Sequence, residues 1–366
     1  MRADQWKVLE GLVAGEAVDL HSALIVDSPW IPPFFGISTE DYINKPEVHF
    51  KANMDIMARF PEIIFFPGFW AEMGMAAEPS GFGAPLTYYP NQPPSVHHII
   101  DDIEQMDSLK QPNPLKDGLM PRILKQYEGL LPLVRGKGMD IKIVAARGPM
   151  TLASHLMGVT NFLVGLKTEP EKTHKLMKMM TRMVMDWLDA QASVLPGVDG
   201  IFVLDDIMGF LGEEDYLEFA HGYFKQIFAG STTLKALHND TPNPISFKYL
   251  TDLGVNLFNF SHMVPIPDLR KMAGDGVVLM GNISPLDIMV NGNYDEVHAA
   301  AMDCIAQNAG HPKFLLSAGG GVSMGTPEST MRAIIDAVAQ GNASAATQDK
   351  ADVPAQGKSD AGRRKP

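Results

Sequence analysis

The sequence predicts an α/β fold, a (β/α)8 TIM barrel with a Pro/Gly-rich insertion over the barrel mouth. Eight short β-rich segments are separated along the chain by helical patterns. Most of these segments are apolar runs without alternation, as expected of parallel strands that are buried on both faces. Residues 68–120 depart from this pattern, because they are rich in proline and glycine.

The order of strands and helices supports a closed barrel. The predicted strands are 21–27, 63–67, 141–146, 200–205, 232–237, 255–260, 277–281 and 314–317. The predicted helices are 152–166, 169–194, 213–229, 243–252, 294–308 and 327–340. Strands that alternate with helices indicate parallel units with right-handed crossovers. Eight such units favour closure into a barrel.

The domain organisation follows from the same pass along the chain. Residues 1–340 are predicted to form a single barrel domain. Because segment 68–120 is long for a loop, we expect it to fold over the barrel mouth as a lid. Residues 341–366 hold no aromatic residue and almost no bulky apolar one, which predicts a disordered C-terminal tail.

Composition excludes several classes of partner. The formal net charge is −13, which argues against binding to nucleic acid or to an anionic membrane surface. No apolar run is long enough to span a bilayer, and the first residues lack the layout of a signal peptide. The single cysteine, Cys304, excludes an intramolecular disulfide and a multi-cysteine metal site. We therefore expect a cytoplasmic protein that acts on a small molecule.

Polar residues at the carboxyl ends of the strands are the candidate site residues, because barrel enzymes build their sites there. The candidates are Arg147, Asp205, Asp206, His238, Asn239, Asp240, Asn259, Asn282, Ser317, Gly319, Gly320 and Gly321. An Asp or Asn after a strand also commonly caps the next helix or forms a turn. That alternative stays open for each of these residues taken by itself.

Individual candidates allow more than one role. His238 and Asp240 share one side of an extended segment, so they could bind a metal, although two ligands do not make a site. Alternatively, a carboxylate orients His238 for proton transfer. Arg147 is the best-placed basic group at the mouth, with a surface salt bridge as the alternative. The glycine-rich stretch 319–325 (GGGVSMG) predicts close approach of the backbone to a ligand. The helix that begins at Pro327 offers backbone N–H donors to an anion.

Several of these motifs resemble the uroporphyrinogen decarboxylases and the corrinoid-dependent methyltransferases related to them. The resemblance runs over most of residues 5–340. Its strongest parts are RGPMTLA at 147–153, segment 200–227, Leu237-His238, GNISP at 281–285 and the closing segment 316–338. The resemblance implies a (β/α)8 barrel, in agreement with the strand count.

The resemblance to the decarboxylases is incomplete. Those enzymes carry an Arg-rich motif near the first strand, where residues 27–35 (DSPWIPPFF) contain no Arg. Their closing loop has a His where this chain has Gly320. A polyanionic porphyrinogen would bind poorly without its Arg clamp. The resemblance therefore implies a substrate other than uroporphyrinogen.

The thiol-activating methyltransferases of the superfamily hold zinc with an H-x-C pair and a loop Cys. The matching residues are His238, Asp240 and Gly320, and Cys304 lies on a helix and replaces neither thiolate. Zinc activates a thiol by stabilising the thiolate. No zinc is therefore expected, and His238 and Asp240 are the ligands if any metal binds.

The remaining branch moves a methyl group between a corrinoid protein and tetrahydrofolate, within a demethylation or one-carbon pathway. For such a reaction, Asp205, His238 and Asp240 are the candidate catalytic residues, because a carboxylate or a His could manage the proton at the pterin nitrogen, and the other candidates are predicted to bind substrate or cofactor. Asp and Asn side chains suit the donor-rich edge of a pterin. The corrinoid of the partner protein would lie across the mouth and touch Trp70. The family allows both monomers and homodimers.

Two other functions stay open. One is a carboxy-lyase that acts on a different carboxylated substrate, tetrapyrrole or other, with Arg147 as its anchor. The other is a catalytically inactive barrel that binds a tetrapyrrole or a corrinoid as a carrier or regulator.

Overall fold

The computed structural model describes residues 1–16, 18–26 and 28–352, and it contains all eight predicted strands in one parallel sheet. The strands are β1 (His21–Ile25), β2 (Ile63–Phe66), β5 (Ile143–Arg147), β6 (Gly200–Leu204), β7 (Leu234–Asn239), β8 (Leu257–Phe260), β9 (Val278–Ile283) and β10 (Phe314–Ala318). Their order is β2-β1-β10-β9-β8-β7-β6-β5. Each strand end lies within two residues of its predicted position.

The strands curl around a buried interior to which all eight contribute. Alternate residues of each strand face inward, and they form one apolar cluster that includes Ile25, Phe66, Phe202 and Met280. The rings of Phe66 and Phe202 meet edge to face with centroids 5.0 Å apart. The other residues of each strand pack against the surrounding helices. Burial of both faces explains the apolar runs, and the arrangement confirms the (β/α)8 barrel.

Helices cover the outside of the sheet. The α-helices are Ala3–Ala14, Ile31–Phe35, Thr39–Asn44, Pro46–Arg59, Ala77–Gly81, Met120–Arg135, Pro149–Met157, Val159–Thr168, Pro170–Val194, Glu213–Tyr216, Gly222–Ile227, Leu250–Leu253, Ile266–Ala273, Tyr294–Gln307 and Glu328–Asp352. Shorter 3-10 or π helices are Ile103–Ser108, Ile207–Phe210, Leu217–His221, Ile245–Tyr249 and Pro285–Val290. None of the described helices is long and apolar enough to cross a membrane.

The predicted helix 152–166 is in fact two helices that meet at Gly158. Gly158 has a φ of 84°, and a Cβ built on it would lie 2.9 Å from the ring of His98. The chain therefore turns at a position that suits only glycine.

The first helix, Ala3–Ala14, closes the amino-terminal end of the barrel. Its residues Trp6, Leu9 and Leu12 belong to the interior cluster that the strands form. The amide of Gln5 donates to the carbonyl of Ile63 at the start of β2 (3.1 Å). The opposite, carboxyl end is where the loops and the insertion lie.

The insertion between β2 and β5 has secondary structure of its own. It contains the helix Ala77–Gly81 and a hairpin of β3 (Leu86–Tyr89) and β4 (Gln92–Val96). The guanidinium of Arg147, at the carboxyl end of β5, donates to the carbonyl of Gly74 in the insertion (3.3 Å). This contact ties the insertion to the mouth, as predicted.

The last helix continues beyond its predicted end at residue 340. It runs from Glu328 to Asp352, so residues 341–352 are helical and their predicted disorder is corrected. The side chain of Asn342 accepts from the Leu20 N–H (2.8 Å) and donates to the Leu20 carbonyl (3.0 Å). This distant contact holds the helix where the composition alone indicates a tail. Residues 353–366 of the predicted tail lie outside the described residues.

Candidate active site

The structure brings three of the predicted polar residues together at the mouth: Asp206, His238 and Asp240. Asp206 follows β6, His238 lies near the carboxyl end of β7, and Asp240 follows β7. The two strands are neighbours in the sheet, with Leu204 opposite His238. Nε2 of His238 lies 3.6 Å from Oδ1 of Asp206, which also accepts the backbone N–H of Asp240 (3.0 Å). One ligand atom of each residue lies within 4.8 Å of the others. We call these three residues the acid–imidazole cluster.

Asn259 fixes the tautomer of His238. The Asn259 amide nitrogen donates to the carbonyls of Met280 (2.7 Å) and Ala318 (3.0 Å). Its oxygen therefore faces Nδ1 of His238, 2.7 Å away. Because that oxygen can only accept, Nδ1 of His238 carries a hydrogen, by assignment from this network. Nε2 is thus the atom that exchanges a proton or a ligand on the side of Asp206.

The electrostatics of the cluster favour an added positive charge. Burial and the neighbouring Asp206 raise the pKa of Asp240, and His238 and His262 act in the opposite direction. Two carboxylates beside one imidazole are stabilised when a proton or a cation lies among them. His262, two residues after β8, is a member of this environment that the sequence-based candidate set omits.

The acid–imidazole cluster offers one imidazole nitrogen and two carboxylate oxygens, which could hold a divalent cation. It does not fit the thiolate zinc set that the resemblance describes. A Cβ built on Gly320 would lie 3.6 Å from Oδ2 of Asp240, so these two positions are adjacent and neither carries sulfur. Asp206 supplies the third ligand group instead.

Asp205 has a different environment from its neighbour Asp206. Its side chain is fully buried. Its carboxylate accepts four backbone N–H groups, from Met150, Thr151, Ile207 and Met208, at 2.9, 3.0, 3.1 and 3.4 Å. Burial raises the pKa of Asp205 to about 7, and the bonds from Thr151 and Met150 lower it. This carboxylate caps two helices, so we now propose Asp205 as a positioning residue and not as a group in contact with substrate.

Three further candidates, Asn239, Asn282 and Ser317, have buried side chains. The oxygen of Asn239 accepts from the N–H and the hydroxyl of Thr241. The amide nitrogen of Asn282 donates to the carbonyls of Ser261 and Val264. The Ser317 hydroxyl is buried and has no hydrogen-bond partner among the described residues. Asn239 and Asn282 hold the ends of β7 and β9 through these bonds, and their role in binding substrate stays a prediction.

The glycine-rich loop approaches protein backbone. A Cβ built on Gly319 would lie 2.3 Å from the backbone nitrogen of His262, so only glycine fits there. Gly321 forms a parallel bridge with Ile25 at the end of β1. Of the three glycines predicted to approach a ligand, Gly320 is the one that lies beside the acid–imidazole cluster.

Trp70 is buried, and its predicted contact with a corrinoid stays a prediction. Its ring is buried in the barrel interior, where it packs on Phe202 with centroids 6.1 Å apart. The guanidinium of Arg147 lies 5.6 Å from the centre of the Trp70 ring. Trp70 extends the buried apolar run that precedes it, and the Trp70 ring supports the guanidinium of Arg147.

Exposed apolar side chains surround the carboxyl end of the barrel. Phe210, Met263, Leu286 and Met324 follow β6, β8, β9 and β10 and are 59%, 65%, 59% and 48% exposed. We call these four residues the apolar rim. Where exposed apolar side chains form a contiguous patch, they mark a surface that binds a partner.

Comparison with known proteins identifies the family. The family model for uroporphyrinogen decarboxylase (URO-D) matches residues 34–341. The chain belongs to the URO-D family. The family includes proteins with different activities, so membership by itself leaves the reaction open.

Relatives of this URO-D family chain carry two kinds of name. A methylated-thiol–coenzyme M methyltransferase of Methanosarcina mazei is 26% identical over 302 residues, covering 80% of this chain and 78% of the relative. A uroporphyrinogen decarboxylase of Anaeromyxobacter is 24% identical over 252 residues, covering 67% and 70%. Both relatives are enzymes by name.

Solved structures agree on the fold. A methyltransferase from Methanosarcina mazei superposes with a TM-score of 0.75 at 18% identity, covering 91% of this chain and 97% of the other. A B12-independent methionine synthase from Shewanella superposes with a TM-score of 0.57 at 11% identity, covering 92% and 99%. At these identities the likeness shows the fold alone.

Proposed function

We propose that this URO-D family protein is a methyltransferase that moves a methyl group between a corrinoid protein and tetrahydrofolate. The observation that carries the proposal is the acid–imidazole cluster, in which Nε2 of His238 faces Asp206 and no thiolate is present. A relative and a solved structure of similar fold are named methyltransferases, which supports the general class.

The chemistry at the acceptor requires a group that handles one proton. A pterin nitrogen that gains a methyl group loses its proton, and one that gives up a methyl group gains a proton. His238 can take or return that proton through Nε2, because Asn259 keeps the hydrogen of the neutral ring on Nδ1. Asp206 and Asp240 stabilise the resulting imidazolium.

A partner protein suits the surface around the site. The apolar rim surrounds the mouth and offers contacts for a protein that presents its corrinoid to the pocket. The corrinoid, when bound, supplies the methyl group or accepts it. The chain's own residues hold the acceptor, manage its proton and exclude water.

Activation of a thiol by zinc is the alternative within the methyltransferases. It needs soft ligands that stabilise a thiolate. Asp240 and Gly320 occupy the two positions where the resemblance places cysteines, and Cys304 is buried beside Asn282. These residues favour an acceptor nitrogen over a thiol.

A carboxy-lyase is the second candidate, and Arg147 is the observation that favours it. A buried guanidinium at the mouth can anchor the carboxylate of a substrate. Several relatives are named uroporphyrinogen decarboxylases. The segment 28–35 lacks the Arg residues expected for a porphyrinogen, so the acid would be a smaller one.

The test of the main proposal is turnover with defined reactants. Purified protein is mixed with free methylcobalamin and tetrahydrofolate, and methyltetrahydrofolate is measured by chromatography. We expect product with wild-type protein and a loss of about 100- to 10,000-fold in the His238→Gln variant, as for removal of a general acid or base. The proposal would be overturned if folded wild-type protein neither bound nor turned over either reactant. Release of carbon dioxide from a small carboxylic acid would support the lyase.

A further inference from the structure

A pocket opens beside the barrel mouth, under the hairpin of the insertion. Its volume is about 530 Å³, within the range of small-molecule sites. It lies between β4, the segment after β2, the carboxyl end of β5 and the loop after β10. Met324 of that last loop lines it, and Gly320 of the same loop adjoins the acid–imidazole cluster.

Arg147 is a buried cation in this pocket. The residue is 8% exposed. One guanidinium nitrogen donates to the Gly74 carbonyl at 3.3 Å, and the group lies over the ring of Trp70. Within residues 1–16, 18–26 and 28–347, no carboxylate lies within 4.0 Å of the guanidinium. Because a buried charge is costly without a counter-charge, this arrangement indicates a ligand anion.

The two nearby acids are already engaged with backbone. Oxygens of Glu72 accept the N–H groups of Ser28 (3.2 Å) and Gly74. An oxygen of Glu78 accepts the backbone N–H of Arg147 at 2.9 Å. Burial raises the pKa of Glu78, and the backbone N–H and the charge of Arg147 act in the opposite direction. The donors of the Arg147 guanidinium are therefore the strongest unused recognition groups in the pocket.

His155 and the apolar walls complete the chemistry. Nδ1 of His155 is buried and has no hydrogen-bond partner among the described residues. Burial and the charge of Arg147 lower the pKa of His155 to about 4, so it is neutral at pH 7. Met75, Val96 and Met324 line the rest of the pocket. The neutral imidazole can donate or accept one further hydrogen bond without adding charge.

We propose that this pocket binds the carboxylate of an organic acid with an apolar body, and that Arg147 anchors that carboxylate. The planar guanidinium fork matches a carboxylate in a bidentate way. Met75, Val96 and Met324 contact the apolar body. The proposal goes beyond the proposed function, because the bound acid is neither tetrahydrofolate nor the corrinoid, and binding of the acid does not depend on methyl transfer.

The test measures binding alone, with benzoate as the probe and benzamide as its neutral counterpart. Titration calorimetry on wild-type protein should give saturable binding of benzoate, tighter than that of benzamide by about tenfold or more. The Arg147→Met variant should weaken benzoate binding by about tenfold or more and leave benzamide binding unchanged. The exposed Arg122, at the opposite side of the hairpin, provides the matched control Arg122→Met, which should bind benzoate like wild type.

Equal affinity for benzoate and benzamide would overturn the proposal, and this comparison needs no variant. A second result would also overturn the proposal: benzoate binding that is lost in His238→Gln but unchanged in a folded Arg147→Met protein. The acid would then bind elsewhere. Benzoate binding that depends on Arg147 without any methyl transfer would uphold the pocket and count against the proposed function. Methyl transfer to tetrahydrofolate by a protein that does not bind benzoate through Arg147 would support the proposed function and count against the pocket.

Discussion

The side-chain oxygen of Asn259 lies 2.7 Å from Nδ1 of His238 and keeps that nitrogen protonated. Both hydrogens of the Asn259 amide are used elsewhere, on the carbonyls of Met280 and Ala318. The orientation of His238 is therefore set by β8, β9 and β10 together. His238 of β7 thus keeps its position at the mouth through a hydrogen-bond network that includes the carboxyl ends of three other strands.

Replacing Asn259 should reduce activity and stability together. Asn259→Leu removes the acceptor of Nδ1 and leaves two buried carbonyls without donors. We expect about 1–3 kcal/mol of destabilisation by urea unfolding. We expect about 10- to 100-fold lower turnover, as for loss of a group that orients an active imidazole. The nitrogen chemical shifts of His238 should show a change of tautomer.

Asn256 provides the matched control for this prediction. Its amide bridges Lys235 and Thr233 at the other end of the same strands, with both bonds at 2.8 Å. Asn256→Leu should lower stability similarly and leave turnover unchanged, because the amino-terminal end of a barrel serves stability. Equal losses of turnover in the two variants would argue against orientation of His238 as the cause.

Asp240 should make stability depend on pH. Its pKa is raised in the folded protein by burial and Asp206, so ionisation opposes folding. The stabilisation is complete below the unfolded pKa of about 4 and is lost as pH rises through the folded pKa. Asp240→Asn should therefore gain stability relative to wild type as the pH rises above about 4 and through the raised pKa of Asp240. The gain should be roughly 1 kcal/mol or less, because the side chain is partly exposed.

The comparison is made by urea unfolding of both proteins across that range. Asp268→Asn, on an exposed helix turn paired with Lys271, serves as the control. A constant difference between Asp240→Asn and wild type at all pH values would contradict the prediction.

Asp205 should act on structure more than on chemistry. In Asp205→Asn, an amide nitrogen replaces one of the two carboxylate oxygens. That nitrogen cannot accept the backbone N–H groups that the oxygen accepted. We expect a loss of about 1–3 kcal/mol in the free energy of unfolding. Asp206→Asn, one residue along, should cost little stability and reduce turnover. A stable but inactive Asp205→Asn protein would instead place Asp205 among the catalytic residues.

Restoring sulfur should restore tight zinc binding. The double variant Asp240→Cys with Gly320→Cys combines two thiolates with His238, since the Gly320 and Asp240 side-chain positions adjoin. Competition with a chelator should show tighter zinc binding than in wild type, and cobalt substitution should give thiolate bands. Gly320→Cys alone, at a φ of 135°, reports the cost of backbone strain. Wild-type protein that loses all turnover on treatment with a chelator would contradict a reaction without zinc.

The strands could be predicted because burial on both faces leaves its mark on composition. The meeting of Asp206, His238 and Asp240 could be anticipated too, since β6 and β7 are neighbours. The different roles of Asp205 and Asp206 could not, because consecutive residues point to opposite sides and periodicity does not say which side is the mouth.

Other outcomes depend on contacts between distant parts of the chain. Trp70 is aromatic and follows a strand, but its burial is decided by packing on Phe202. The extension of the last helix depends on Asn342 and Leu20, which are 322 residues apart in sequence. Arg147 has no ion pair with the residues that the structure describes, and this depends on the path of the insertion. None of these contacts has a local signal in the sequence.

The helix Ala3–Ala14 fills one end of the barrel with Trp6, Leu9 and Leu12. Small molecules must therefore enter and leave by the same opening, on which the apolar rim lies. A macromolecule docked there would trap whatever is already inside and bar anything that arrives later. If the proposed partner docks there, the small reactant should load first, and a large excess of the partner should slow the reaction by blocking entry.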